Sequence, residues 1–199
     1  MDHAVPPPPD LILASTSAYR RSLLERLGVP FRCVAPLVDE EALKTGDLGP
    51  RELARMLARA KAGSLTAVEP NSVIVGGDQL VAFDGRILGK PGTTAGAVGQ
   101  LLEMAGQTHE LVTALAVWHG GRWFEHTDLT TLRLRDLSRE EVERYVAADR
   151  PVDCAGSYKL EARGITLFER IESEDHTAVT GLPLVSLTTI LRGLGFAIP

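Results

Sequence analysis

Only two cysteines, Cys33 and Cys154, occur in 199 residues, too few and too far apart for a disulfide framework or a metal knuckle. That scarcity fits a reducing cytoplasm. No stretch reaches the roughly 18 apolar residues of a membrane helix, and the opening MDHAVPPPPD lacks the cationic and apolar segments of a secretion signal. The proline run reads as a disordered or polyproline leader over residues 1–10, ahead of one domain over residues 11–199. Positive charge is in deficit, with 21 Lys and Arg against 26 Asp and Glu. A net charge of -5 excludes a broad nucleic-acid footprint but leaves room for a local cationic pocket. The five histidines, His3, His109, His119, His126 and His176, show no paired spacing suited to zinc. Also absent are GxxxxGK[ST], GxSxG, and GxGxxG after a strand, which removes the P-loop, serine-hydrolase and dinucleotide readings.

What is present is enough apolar sequence, 44%, to bury a core. Residues 11–14 form an apolar strand, and Ser17 caps a helix whose Leu23, Leu24 and Leu27 make a buried stripe ending at Gly28. A strand over 31–34 and an acidic loop over 36–49 follow, and Pro50 then opens a helix at its favoured first position. In that helix Leu53, Met56, Leu57 and Ala60 repeat at helical spacing, leaving Lys61 beside the buried face. Residues 73–75 form a buried strand that runs into Gly76-Gly77-Asp78-Gln79, and Asp84-Gly85 turns a hairpin between 80–83 and 87–88. Beyond it come a helix over 94–104, a long hairpin over 110–118 and 123–134, and a helix opened by the Ser138 and Glu141 capping box. A strand over 165–171 and a helix over 184–194 complete the chain. Strands and helices mix without strict alternation, which predicts an α/β or α+β fold around a mixed sheet.

Five places carry possible chemistry. Ser15, Thr16, Ser17, Arg20 and Arg21 stand where a strand hands over to a helix; the hydroxyls serve either as a helix cap or, with the helix-start N–H groups and an arginine, as a phosphate seat. Asp78 follows the glycine pair where the strand is expected to end, the usual place for a site in an open α/β sheet, and suits a metal ligand or a base for water. Glu40 is its natural partner, because two carboxylates and phosphate oxygens make a typical magnesium shell. Lys61 and Lys90 would neutralise phosphate charge.

Seven stretches in order, LILASTSAYRRSLLERLG, VDE, KA at Lys61-Ala62, GGDQ, LGKP, CAGSYKLEARGITLFER and GLPL, resemble the Maf family of nucleoside triphosphate pyrophosphatases. The likeness runs from residue 11 to about residue 195. GGDQ and CAGSYKLEARG resemble the branch of that family acting on 7-methyl-GTP, whereas its dTTP and UTP branch typically has GADT and a KAGAYGIQG-like stretch. Carried over position by position, the specificity residues fall on Tyr19, Gln79 and Glu161 and the base on Asp78. Tyr19 stands where a tryptophan is common, and Ala114 where a glycine is expected.

The resemblance implies an elongated mixed sheet flanked by helices, with two lobes and the site in a cleft between them. It implies hydrolysis of 7-methyl-GTP to 7-methyl-GMP and pyrophosphate, a house-cleaning reaction on modified nucleotides, with Mg2+ or Mn2+ held by Glu40 and Asp78. Ser15, Arg20, Lys61 and Lys90 would hold the triphosphate, and Tyr19, Gln79 and Glu161 the base. No membrane or nucleic-acid partner is implied; a homodimer is. The alternatives are the dTTP/UTP activity of the sister branch and a nucleotide-binding regulator of septum formation.

Overall fold

The protein is described by a computed structural model over residues 8–44 and 48–199; most of the expected leader lies outside these residues. Strand β1 (Leu11–Ala14) is buried along its whole length, as a strand covered on both faces must be. It pairs in parallel with β2 (Arg32–Val34) on one side and β3 (Val73–Phe83) on the other. β3 pairs antiparallel with β5 (Thr108–His119), and β5 with β6 (Arg122–Leu134). β7 (Phe168–Glu172) joins β6 at the far edge. A tight hairpin at Asp84-Gly85, both with positive φ, returns β4 (Arg86–Leu88) along β3. The result is an open seven-stranded mixed sheet, ordered β2-β1-β3-β5-β6-β7 with β4 on β3.

β1 and β4 share one edge of β3 without meeting. β1 pairs as far as Val75, and β4 pairs only from Val81 onward. Because β1 runs parallel to β3 and β4 antiparallel, both aim their C-terminal ends into residues 76–80, which have a strand neighbour only on the β5 side. Ser15 leaves β1 at this break, and Lys90 lies two residues beyond β4 on the other side of it.

Helices cover the two faces differently. On one face α3 (Pro50–Gly63) packs Leu53, Leu57 and Ala58 on Leu80, Val112, Ala114 and Ala116. It comes so close that a Cβ on Gly76 would stand 2.2 Å from the Ala58 carbonyl oxygen. On the other face lie two separate cores. α1 (Ala18–Glu25) and α6 (Leu184–Gly193) cover Leu11, Leu13, Val73 and Val75. α4 (Thr94–Met104) and α5 (Arg139–Asp149) cover Val81, Phe83, Leu111 and Leu132. These are the two expected lobes, and the break in the β3 edge falls between them.

Three expectations need correction. β3 does not end at Val75; it runs unbroken through both glycines, because β5 supplies a partner opposite every residue from Ile74 to Ala82. The acidic loop contains a short helix, α2 (Glu40–Leu43), whose first-turn N–H groups on Glu41 and Ala42 donate to Asp39 Oδ1. Residues 163–167 form 3-10 turns rather than strand, since the N–H groups of Ala162 and Gly164 both turn back onto the Lys159 carbonyl. Pairing starts only at Phe168.

Candidate active site

Lys61 occupies the last turn of α3 at a position its buried stripe would give to an apolar residue, and it is only 5% exposed. A buried ammonium requires paired acceptors. Its Nζ donates to Asp78 Oδ1 at 2.7 Å and sits 2.9 Å from Glu40 Oε2. Asp78 is therefore mid-strand, on the α3 face of β3, and not at a strand end as its sequence context suggested. Glu40 reaches the same ammonium from the first turn of α2.

The second carboxylate oxygen, Asp78 Oδ2, is buried and has no hydrogen-bond partner. Stranding such an acceptor costs about 1–3 kcal/mol or more for a charged group, so the arrangement suits an incoming donor or cation. The donor set fits a hard cation: Glu40 and Asp78 each keep one oxygen beyond the lysine contact, and oxygen ligands are what magnesium and manganese take. Among the described residues no group of three or more His, Cys, Asp and Glu converges, so phosphate oxygens and water would have to complete the shell.

Across the break, the Ser15 and Ser17 hydroxyls act as caps. Ser15 Oγ accepts from the Ser17 N–H at 3.1 Å, and Ser17 Oγ from the Arg20 N–H at 3.4 Å. The N–H groups of Ala18 and Tyr19, in the first turn of α1, have no acceptor within the helix and face the helix start. Cap and phosphate seat are thus compatible. Arg20 donates from Nε to the Gly181 carbonyl at 2.9 Å. Burial lowers its pKa, while the charges of Asp78 and Glu40 raise it; the guanidinium lies in the field of both acids. Lys90 is exposed and pairs with neither acid. The structure brings it to the mouth of the break without drawing it in.

A family model described as Maf-like protein matches residues 10–194. The chain belongs to the Maf family. Among its relatives, the 7-methyl-GTP pyrophosphatase of Bdellovibrio bacteriovorus is 51% identical over 186 residues, covering 94% of this chain and 97% of that protein. Those of Xanthomonas axonopodis pv. citri and Aromatoleum aromaticum are 48% and 45% identical over 191 residues each, covering 96% and 95% of this chain and 100% and 97% of their own. A solved HAM1 protein from Coxiella burnetii overlaps 93% of this chain and 98% of its own with a TM-score of 0.46 and 11% identity, a likeness too loose to bear on the site.

Of the three positions expected to set specificity in this Maf chain, two lie near each other and the third is held elsewhere by its own partners. Tyr19, 37% exposed, lies within the electrostatic reach of Asp153, Cys154, Lys159 and Glu161. Partial burial first, then Cys154, Glu161 and Asp153, raise its pKa, and Lys159 opposes them. Exposed Glu161 therefore shares a neighbourhood with Tyr19 although the two are far apart in the sequence. Gln79 points away from Asp78, as adjacent strand residues must. Its Nε2 reaches Thr113 Oγ1 at 2.9 Å and the carbonyls of Ala178 and Val179 at 2.8 and 3.1 Å. Ala114, opposite Asp78, is fully buried against α3 with no sign of disturbed pairing.

Several supporting residues escaped the sequence reading. Lys159 ties the base-side segment down through Nζ to the Asp149 carbonyl at 3.3 Å and Asp153 Oδ1 at 3.4 Å, and its N–H donates to Tyr145 Oη at 2.9 Å. The Cys154 thiol, raised to about 12 by burial and then by Asp153, is not a nucleophile at neutral pH. Asp175 and Thr177 cap α6 from outside it. Asp175 Oδ2 accepts from the Val185 N–H and Thr177 Oγ1 from the Leu184 N–H, both at 2.8 Å. The signal was an Asp-x-Thr turn, with Asp175 Oδ1 accepting from the Thr177 N–H at 2.9 Å. In the surface hollows around Arg133 and around Arg59, those arginines are paired with Glu169 and Glu125. No helix among the described residues is long and apolar enough to cross a membrane.

Proposed function

We propose that this Maf chain hydrolyses 7-methyl-GTP between its α- and β-phosphates, releasing 7-methyl-GMP and pyrophosphate. The observation that carries the chemistry is the Glu40–Lys61–Asp78 constellation, Lys61 and Asp78 buried and one Asp78 oxygen free, set at the break in the β3 edge. Asp78 Oδ2, left without a partner, accepts a proton from a water that attacks the α-phosphorus. As the new P–O bond forms, the bond to the oxygen bridging the α- and β-phosphates breaks and pyrophosphate leaves with that electron pair. Lys61 holds Asp78 in orientation and lends positive charge to the triphosphate. Ser15, Arg20 and Lys90 ring the break and hold the remaining phosphate oxygens, with the first-turn N–H groups of α1 beneath them. Glu40 and Asp78 would hold a Mg2+ or Mn2+, which would supply further charge neutralisation.

Base choice belongs to the opposite side. N7-methylation makes guanine a cation, which favours the face of Tyr19 and the carboxylate of Glu161 over a neutral purine. The names of the relatives point to the same nucleotide. A house-cleaning role, a cytoplasmic setting and a homodimer belong to the same reading. Pyrophosphate release from purified protein with Mg2+ across 7-methyl-GTP, GTP, dTTP and UTP tests it. Turnover highest on 7-methyl-GTP is expected. Turnover confined to dTTP and UTP would move the chain to the sister activity, and binding without release from any nucleotide would favour the septum-regulator reading.

A further inference from the structure

Lys90 enters the mouth of the β3 break from a turn whose two sides are held differently. On the far side the hold is backbone: the Gly92 N–H donates to the Val152 carbonyl at 3.0 Å, and the Pro91 carbonyl lies so close to α4 that a Cβ on Gly96 would stand 2.7 Å from it. On the near side β4 pairs as far as Leu88, and then comes Gly89, exposed, with nothing within 4 Å of where a Cβ would be. No side-chain packing holds the peptide that leads into Lys90. Its carbonyl instead accepts from Gln100 Nε2 at 3.0 Å. A carbonyl cannot donate, so the amide end facing Gly89 is the NH2 group and Oε1 lies at the other end. There it accepts from the Ser157 hydroxyl at 2.5 Å. Ser157 is 0% exposed, has a left-handed φ of 62° and donates its own N–H to the Cys154 carbonyl at 3.1 Å, which makes it a fixed anchor. Gln100 is half-buried on α4 beside the apolar Ala97, Val98, Leu101 and Met104, and it ties an exposed turn to that anchor.

We propose that Gln100 is a positioning residue for Lys90: its hydrogen bond to the Gly89 carbonyl sets the direction in which Lys90 leaves β4 and keeps the ammonium at the break. This rests on the triphosphate role given to Lys90 above and deepens it. Gly89 is free to take either sign of φ, so without the Gln100 bond the near side of the turn gains backbone freedom. Lys90 would then have to be ordered each time a triphosphate binds, a cost that preorganisation removes. The gain falls on the phosphates, which every nucleoside triphosphate carries, and is therefore the same for any base.

The test is a double-mutant cycle in the full-length protein between Gln100→Met and Lys90→Ala, read as kcat/KM for pyrophosphate release from 7-methyl-GTP and from GTP. Lys90→Ala should lose at least about tenfold on both substrates. Gln100→Met, similar in size and uncharged, should lose about fivefold on both, roughly what one hydrogen bond is worth, with their ratio unchanged. In the Lys90→Ala background the same substitution should cost less than about twofold, because the residue it positions is gone. A loss from Gln100→Met that persists undiminished without Lys90 overturns the positioning role, and so does wild-type activity in Gln100→Met. A changed ratio of the two substrates also overturns it, since Gln100 would then act through the Ser157 segment. If Gln100→Met does not fold, Gln100→Glu, which keeps an acceptor for Ser157 and loses the donor to Gly89, takes its place in the same cycle. Wild-type kcat/KM in Lys90→Ala alone would instead refute the triphosphate role of Lys90, and the proposal with it.

Discussion

At residues 76 to 79 the two faces of β3 do opposite things. On the α3 face, Asp78 is 6% exposed and ion-paired to a buried lysine, and the helix is pressed onto Gly76 with no room for a methyl group. On the other face, Gly77 and Gln79 look into the gap between two cores, toward a half-buried arginine and two backbone carbonyls. One face concentrates charge in a place water reaches poorly, where electrostatics are strong. Apart from the Arg20 guanidinium, the opposite face carries neutral hydrogen bonds and accessible side chains, which discriminate between ligands by fit. Rate should therefore depend on the first face and choice of nucleotide on the second.

The sharpest way to break this comparison is Asp78→Asn. Turnover should fall by roughly a hundred- to ten-thousandfold, with nucleotide affinity measured by calorimetry kept within a few fold; near-wild-type turnover would remove Asp78 as the base. Lys61→Ala strands two carboxylates beside each other, one of them buried. It should cost about 3 kcal/mol in urea unfolding as well as turnover, and an unchanged midpoint would mean the ion pair is not a structural element.

The neighbouring glycines give a matched pair. Gly76→Ala places a methyl 2.2 Å from the Ala58 carbonyl oxygen and 2.9 Å from the Ala62 nitrogen, both rigid backbone, so α3 must shift at a cost of about 2–4 kcal/mol. Gly77→Ala meets Arg20 Nε at 3.4 Å and Leu182 at 3.5 Å, ordinary contact distances, and should change stability by less than about 1 kcal/mol. Equal losses in thermal unfolding would contradict the tight and open faces. The smallest effect concerns selectivity alone. Gln79→Ala with Glu161→Ala should reduce the kcat/KM preference for 7-methyl-GTP over UTP by about tenfold, and an unchanged ratio would take both residues out of base recognition.

How much of this was legible in the sequence follows the same division. The caps and periodicities were readable because they are local: Ser17, the Ser138 and Glu141 box and Pro50 at the helix start all stand where expected. The constellation of Glu40, Lys61 and Asp78 could be suspected as residue types in order, but Lys61 alone reads as a solvated lysine. Only the packing of α3 on β3 buries it between two acids. β3 was misread because two glycines look like a strand end, whereas the partner that carries the strand through them, β5, lies more than thirty residues away. The hydrogen bonds of Gln79 join it to a threonine and two carbonyls from two distant segments, and no local pattern announces them. The break in the β3 edge is likewise topological, made by two short strands running toward each other.

The division of labour is tested most directly by the residual activity of Asp78→Asn, followed with 7-methyl-GTP and with GTP under the same conditions. If one face sets rate and the other choice, both activities fall together and their kcat/KM ratio stays that of the wild type. A ratio that collapses toward one would show that Asp78 takes part in reading the base, and the separation of the two faces would be wrong.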